Sequence, residues 1–325
     1  MKTRGLGFLG LVGAFALTGG VLASACAGTD SASDIGRTQQ AIETGVDGGA
    51  TLALINEIKV NPPGTDNPWE YMELRGTPGG LLTGFYLVVL EGDVSGTATG
   101  TADVVIDLNG KAFGSNGLLV VTATTGGHTI PGATTVVTST ALDTSGGGIE
   151  NGSQTYMLVY SPTNPIVQGT DYDTTSSGTL TLPAGAVIAD SVGYKDVSTD
   201  VVYGTVDVSL SPLAGPGGLT RFSDNDTPLS AAAWYLGPIV TVGDAGSDPS
   251  SVDYGTTGLS ANFPAGGKLT PGAPNVGTTS GVDGGTDAAA TGTTADTGTA
   301  TDTGTATDTG TATDTGTAVD AADAG

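Results

Sequence analysis

This chain is short of the residues on which most enzyme sites depend. It has one cysteine and one histidine in 325 residues, and nine Lys and Arg against 33 Asp and Glu. A single cysteine excludes an internal disulfide and any cysteine-based zinc site. One histidine argues against two-metal hydrolases and leaves a Ser-His-Asp arrangement dependent on His128 alone, in the loop TTGGHTIPG, with no nucleophile elbow nearby. The formal charge of −24 opposes nucleic acid and anionic lipid as electrostatic partners and makes cations the natural small ones. Charged residues make up only 13 % of the chain while glycine contributes 55 positions, a balance that suits a turn-rich all-β fold and leaves little room for helix.

What is present is strand-like. Leu52–Val60 and Trp69–Leu74 flank a turn rich in Pro, Gly, Asn and Asp, and Phe85–Leu90 follows Gly79, Gly80 and Gly84. Further short runs follow at Val104–Leu108, Leu118–Thr122, Thr134–Thr138, Tyr156–Tyr160, Leu180–Leu182, Val187–Ala189, Val201–Val208 and Ile239–Val242. Continuous apolar runs such as LLVV at 118–121 and MLVY at 157–160 predict central strands buried on both faces. The polar pair Asn56-Glu57 places Leu52–Ile58 nearer a sheet edge. The pattern predicts a β-sandwich over 51–275, as one domain with expanded loops or with a second small β-domain.

The two ends differ from this middle. Residues 1–25 carry Lys2 and Arg4, an apolar glycine-interrupted run, and small residues ahead of Cys26, the layout of a secretory signal. It resembles a bacterial lipoprotein signal, with Ala23 where the usual leucine stands and Leu22 one place earlier. The resemblance implies that Cys26 is lipidated and heads the mature chain, with Ala27 favouring the outer membrane; ordinary secretion with a free thiol is the alternative. Residues 26–50 are polar, small and without period, and read as a disordered tether. From 276 the composition turns to Thr, Asp, Gly and Ala, and the hexapeptide ATDTGT sets Asp296, Asp302, Asp308, Asp314 and Asp320 six apart. With no regular apolar position to fill an interior, this tail reads as an extended, self-repelling spacer.

LINEIKVNPPGTDNPWEYMELRG followed by LTGFYLVVLEG resembles the opening of a lamin tail domain, an immunoglobulin-like β-sandwich found in nuclear lamins and in many secreted bacterial proteins. The matching residues are Asn56-Glu57-Ile58, Asn61-Pro62, Trp69 to Leu74 and Leu82 to Tyr86. Later echoes are GSNGLLVV at 114–121, ADSVGY at 189–194, GGLTRFSDNDT at 217–227 and TPGAPN at 270–275. The resemblance implies a fold and no reaction.

Candidate site residues are few. Glu57, Glu70 and Glu73 are spaced for acid–base or metal work, with bonding to backbone at a sheet edge or turn as the ordinary reading. Trp69, Tyr71 and Trp234 are expected in the core, and His128 in an exposed loop. Asp224-Asn225-Asp226, and Asp171 with Asp173, place oxygens at alternate positions as calcium requires, although Asp and Asn also cap turns. The Asn-x-Ser/Thr triplets at Asn151 and Asn225 carry no meaning in a bacterial lipoprotein. Together these features predict a non-catalytic, lipid-anchored envelope protein at the outer membrane or cell surface, acting as a binding or structural module. Its partner is expected to be an extracellular protein or polysaccharide. Calcium-dependent adhesion or ligand binding and an unrecognised hydrolase are the alternatives.

Overall fold

A computed structural model describes residues 52–94, 99–144, 148–241 and 247–278. Cys26, the leader, the tether and the hexapeptide repeat lie outside the described residues. Those that are described belong to one compact unit made of strands, with helix limited to two single 3-10 turns.

The strands are β1 (Ala53–Lys59), β2 (Tyr71–Gly76), β3 (Phe85–Glu91), β4 (Ala102–Asp107), β5 (Leu118–Thr122), β6 (Thr135–Thr138), β7 (Gln154–Tyr160), β8 (Val187–Tyr194), β9 (Gly218–Arg221) and β10 (Trp234–Gly237). They form a six-stranded sheet, β10-β9-β1-β2-β5-β6, and a four-stranded sheet, β4-β3-β7-β8. Every named pair is antiparallel except β5 with β6. The main core lies between the sheets, where Ile55, Ile58, Met72, Leu74 and Leu119 meet Phe85, Leu87, Val89, Leu158 and Val192.

Both outer faces are covered as well. On the four-stranded sheet, Tyr86, Val88, Met157 and Val159 pack under Ile166, Tyr172 and Tyr203 from the loops after β7 and β8. Across β9 and β10, Phe222 and Tyr235 pack under Ile239, Tyr254 and Leu269. This doubly covered arrangement explains why β3 and β7 are apolar on both faces.

Several expectations need correction. β1 lies between β9 and β2 rather than near an edge, and Asn56 and Glu57 are buried in it. They are tolerated there because the pairing of β1 with β2 shifts between Ile55 and Glu57, a β-bulge that turns both polar side chains away from the core. Leu180–Leu182 is a covering loop, Val201–Val208 meets β8 through one isolated parallel bridge, Asp207 to Gly193, and the described part of Ile239–Val242 contributes an isolated bridge, Ile239 to Tyr254. None of these extends into a strand. In the other direction, β9 and β10 are strands too short and glycine-bounded to show a period.

Candidate functional site: a charged seam, a groove and an acidic end

The alternation of β2 sends Met72 and Leu74 inward and Tyr71, Glu73 and Arg75 outward. Beside them, the bulge brings Asn56, Glu57 and Lys59 of β1 to the same outer face. Glu57 and Glu73 are directly opposite in register, and both are fully buried. Like charges facing each other are unfavourable, and what offsets this is the chain segment crossing above. Glu57 accepts hydrogen bonds from the Thr270 amide at 2.8 and 3.0 Å and from the Tyr71 hydroxyl. Glu73 accepts from the Gly272 amide at 2.6 Å and from Asn56 Nδ2 at 2.5 Å. Asn275 Nδ2 donates to the carbonyls of Asn56 and Arg221 at 3.2 and 2.9 Å, while Asn116 Nδ2 reaches Gly272 O at 3.2 Å. Residues 270–275 are thus strapped to the sheet by the motif residues of four distant segments.

Lys59 completes the seam. Its buried Nζ donates to Pro249 O and Ser251 O at 2.6 and 2.7 Å and lies 3.4 Å from His128 Nε2. The His128 ring stands edge-on between Trp69 and Tyr71, 5.4 and 5.1 Å away, with Nε2 3.1 Å from Trp69 O. His128 is therefore half-buried rather than exposed, because the ring is held by aromatic faces. Trp69, expected in the core, is only partly buried; Tyr71 and Trp234 are buried as expected. Burial sets the titration here. It raises Glu57 well above the usual range, with Glu73 reinforcing it, and raises Glu73 to about 7. It lowers Lys59 to about 8 against the attraction of Asp248 and Glu57. Burial and then the Lys59 charge lower His128 to about 4.

A groove of about 260 Å³ opens where the seam reaches the end of β2, walled by Leu52, Asn56, Arg75, Asn116, Leu118 and Asn275 among others. Arg75 donates to Ser223 O at 2.8 Å and Asn225 O at 2.5 Å and pairs with Asp226 at 2.7 Å. Asp224 accepts from the Thr278 amide at 2.9 and 3.0 Å, and Asn225 Oδ1 accepts from the Thr227 amide at 3.1 Å. The calcium candidates Asp224, Asn225 and Asp226 are thus each engaged by protein partners. Asp173 accepts from the amides of Ser177 and Gly178 at 2.9 and 2.7 Å and from the Tyr203 hydroxyl at 3.1 Å, while Asp171 caps the Asp173 amide at 2.8 Å.

At the opposite end of the strands two carboxylate groups converge that sequence reasoning missed. Glu91, Asp103 and Glu150 form one, Asp93, Asp196 and Asp200 the other, and within each the oxygens lie within 4.8 Å of one another. Ser153 Oγ sits 2.7 Å from Asp196 and 2.6 Å from Asp200. Burial, with neighbouring carboxylates adding to it, raises Glu91 to about 7 and Asp103 to about 6. The local signals were Glu91-Gly92-Asp93 at the end of β3 and Asp196 with Asp200 in the loop after β8; Asp103 and Glu150 come from two further segments, β4 and the loop before β7. Glu70 stands inside this end, its Oε2 accepting from the Gly148 and Ile149 amides at 2.8 and 3.1 Å.

No protein-family model, curated protein or solved structure matches this chain.

Proposed function

We propose that the chain is an exported, lipid-anchored protein whose all-β domain is a lamin-tail-like, immunoglobulin-like sandwich acting as a non-catalytic binding or structural module at the cell surface. One observation carries this reading: the residues with catalytic potential are used as joints. Glu57, Glu73 and Glu70 hold backbone amides, and Lys59 holds two carbonyls from full burial. His128 is wedged between rings, and its Nε2 is taken up by Trp69 O at 3.1 Å and Lys59 Nζ at 3.4 Å. The motif echoes support the family reading, because Asn56, Asn116, Arg221 and the 270–275 segment meet in one hydrogen-bonded network although more than 200 residues of chain separate the first from the last. Cys26 supplies the anchor. Replacing it with alanine in the native host shifts the protein from membrane to soluble fractions; retention in the membrane would overturn the anchor.

A second reading, calcium-dependent adhesion, is favoured by the paired carboxylate groups at the acidic end. On that reading millimolar calcium raises the melting temperature and Asp200→Asn abolishes the rise. An unchanged melting temperature eliminates it.

A further inference from the structure

The two sheets have four outer edges, β10, β6, β4 and β8, and all but one are guarded. Beyond β10, the Ser260 amide donates to Leu236 O, Ser260 Oγ accepts from the Leu236 amide, and Asn262 Nδ2 donates to Trp234 O. Beyond β8, Val206 O accepts from the Gly193 amide and the Val208 amide donates to Gly193 O, each at 2.9 Å. Beyond β4, Thr170 and Gly169 bond the carbonyl and amide of Ala102, Gln168 Nε2 donates to Asp103 O, and Asp103 and Asp107 put charge along the strand. β6 has no such cover: among the described residues, Thr135–Thr138 make no hydrogen bond outside the ladder with β5. Native sheets seldom leave an edge bare, because its free N–H and C=O groups are a template for another strand.

The free groups can be assigned. The Ser139 amide donates to Thr122 O on the β5 side at 2.9 Å, so by alternation Thr135 and Val137 also face β5, and Val136 and Thr138 aim N–H and C=O away from the sheet. Val137 packs into the main core, which turns Val136 to the outer face. There Val136 is 48 % exposed, the one strand residue among the exposed large apolar side chains that are described. Charge is absent around it. Residues 112–142 contain no Lys, Arg, Asp or Glu in a chain of −24, and His128, with its pKa lowered to about 4, is neutral at pH 7. Copies of so acidic a protein repel one another, and β6 is the edge where they approach without that cost. The edge is also self-complementary. About a two-fold axis through Val136, an antiparallel second copy sets each Val136 N–H against the other Val136 C=O, and each Thr138 N–H against the other Thr134 C=O. The Thr134 amide is not needed, being held by Pro131 O at 3.0 Å. This register keeps outer face beside outer face and brings the two exposed valines into cross-strand contact.

We propose that β6 pairs antiparallel with β6 of a second copy of this chain, joining two six-stranded sheets into one across a two-fold axis at Val136. An edge of four residues buries less than the roughly 1,200 Å² of a standard interface, so the dimer is weak and concentration-dependent in solution. It depends neither on the anchor nor on the binding-module reading above.

The test is sedimentation equilibrium of the full chain carrying Cys26→Ala, which takes a lipid and the sole thiol out of the readout. Val136→Lys, Val136→Glu and an equimolar mixture of the two are measured beside it. The parent is expected to pass from the mass of one chain to that of two as its concentration approaches about 1 mM, the weak end of specific association. Each charged variant alone should stay at one chain, because like charges then face each other at the axis, and the mixture should recover the dimer, because Lys then faces Glu. Val136 projects from the outer face, so both variants should melt with the parent; Val197→Lys, at an exposed valine in the loop after β8, should leave the dimer intact. A parent that keeps the mass of one chain throughout removes the second copy as occupant, leaves the edge to a strand of another protein, and overturns the proposal. A dimer that survives both charged variants places the contact elsewhere and overturns it as well. Variants that stay folded but whose mixture remains at one chain refute the two-fold at Val136.

Discussion

Replacing Asp190 by alanine should be among the most damaging single changes in this domain, and the structure gives the reason. Asp190 of β8 and Arg221 of β9 belong to different sheets, are both fully buried, and meet at 2.6 Å. The carboxylate also accepts from the Ile55 amide at 2.9 Å and the Leu229 amide at 3.0 Å. The guanidinium donates to Ile55 O at 2.7 Å and Thr227 O at 2.9 Å and lies 4.6 Å over the Trp234 ring. Asp190→Ala leaves a buried cation without its counter-charge, a loss of about 3–5 kcal/mol. The two abandoned amides, at about 1–3 kcal/mol each, overlap with that figure and place the result at its upper end. Against a typical total stability of about 5–15 kcal/mol, the variant sits close to unfolding at 37 °C. The assay is urea denaturation followed by tryptophan fluorescence, since Trp234 reports on the site directly. The double variant Asp190→Leu/Arg221→Met removes both charges and should regain the part of the loss due to the unpaired cation, while the backbone groups of Ile55, Thr227 and Leu229 that the pair served stay unmet. A single-variant loss below about 1 kcal/mol, or a double variant no more stable than the single, would refute the view that this pair pins the sheets together.

Two further outcomes follow from the same geometry. Glu57, Glu70 and Glu73 all have folded-state pKa values above the ordinary carboxylate range, Glu70 at about 8 and Glu73 at about 7, chiefly through burial. The folded state therefore holds protons that the unfolded chain has released, so stability contributed below the unfolded pKa is lost as pH rises through the folded values. His128 opposes this only between about 4 and its ordinary value of 6.5, and Lys59 only above about 8. In the window from pH 6.5 to 8 the melting temperature should fall, and Glu73→Gln should flatten the decline; a rise across that window would contradict the burial argument. Gly76→Ala should be severe for a steric reason, because a Cβ there would meet Leu52 O at 2.1 Å and the Phe113 ring at 2.3 Å. We expect a loss of roughly 3 kcal/mol or more in urea denaturation, or failure to accumulate soluble protein, and a near-neutral result would mean that the end of β2 opens freely.

Most of the strand order of this domain can be read from apolar runs. MLVY is legible because a strand covered on both faces needs no polar alternation, and the covering loops supply its second apolar surface. Val201–Val208 misleads in another way, since it meets the edge strand β8 at a single bridge, Asp207 to Gly193, and Val206 is buried in the main core without a strand forming. β9 escapes notice because Gly218–Arg221 has four residues and ends in a charge, and only the tertiary partner Asp190 explains why an arginine is buried there. The polar motifs were visible as motifs, but their roles were not. Glu57, Glu73 and Asn275 act across some 200 residues of sequence, and no local pattern states which backbone amide a carboxylate will meet. The acidic end was illegible for a similar reason, since Asp93, Asp196 and Asp200 acquire a common position only when β3 and the loop after β8 are brought to the same end.

The two ends of the domain also differ in what they present. Leu52 and Asn275, near the limits of the described residues, wall the same groove, and Thr278 is tied to Asp224 on the neighbouring turn. The chain thus enters and leaves beside Arg75. Glu70 begins the segment that Arg75 nearly ends, and Gln154, in register with Glu91 on one side and Tyr194 on the other, marks the far end in the second sheet. On the lipid-anchor proposal, residues 27–51 connect to the groove end, and at about 3.3–3.6 Å per residue they reach at most about 80–90 Å. The carboxylate groups then sit at the end of the domain remote from the tether. An orientation with the acidic end outward is also the one that electrostatics favours over an anionic surface, because it puts the densest negative charge farthest from the lipid headgroups and leaves Arg75 on the near side. A cation bound at the acidic end would accordingly be met from outside.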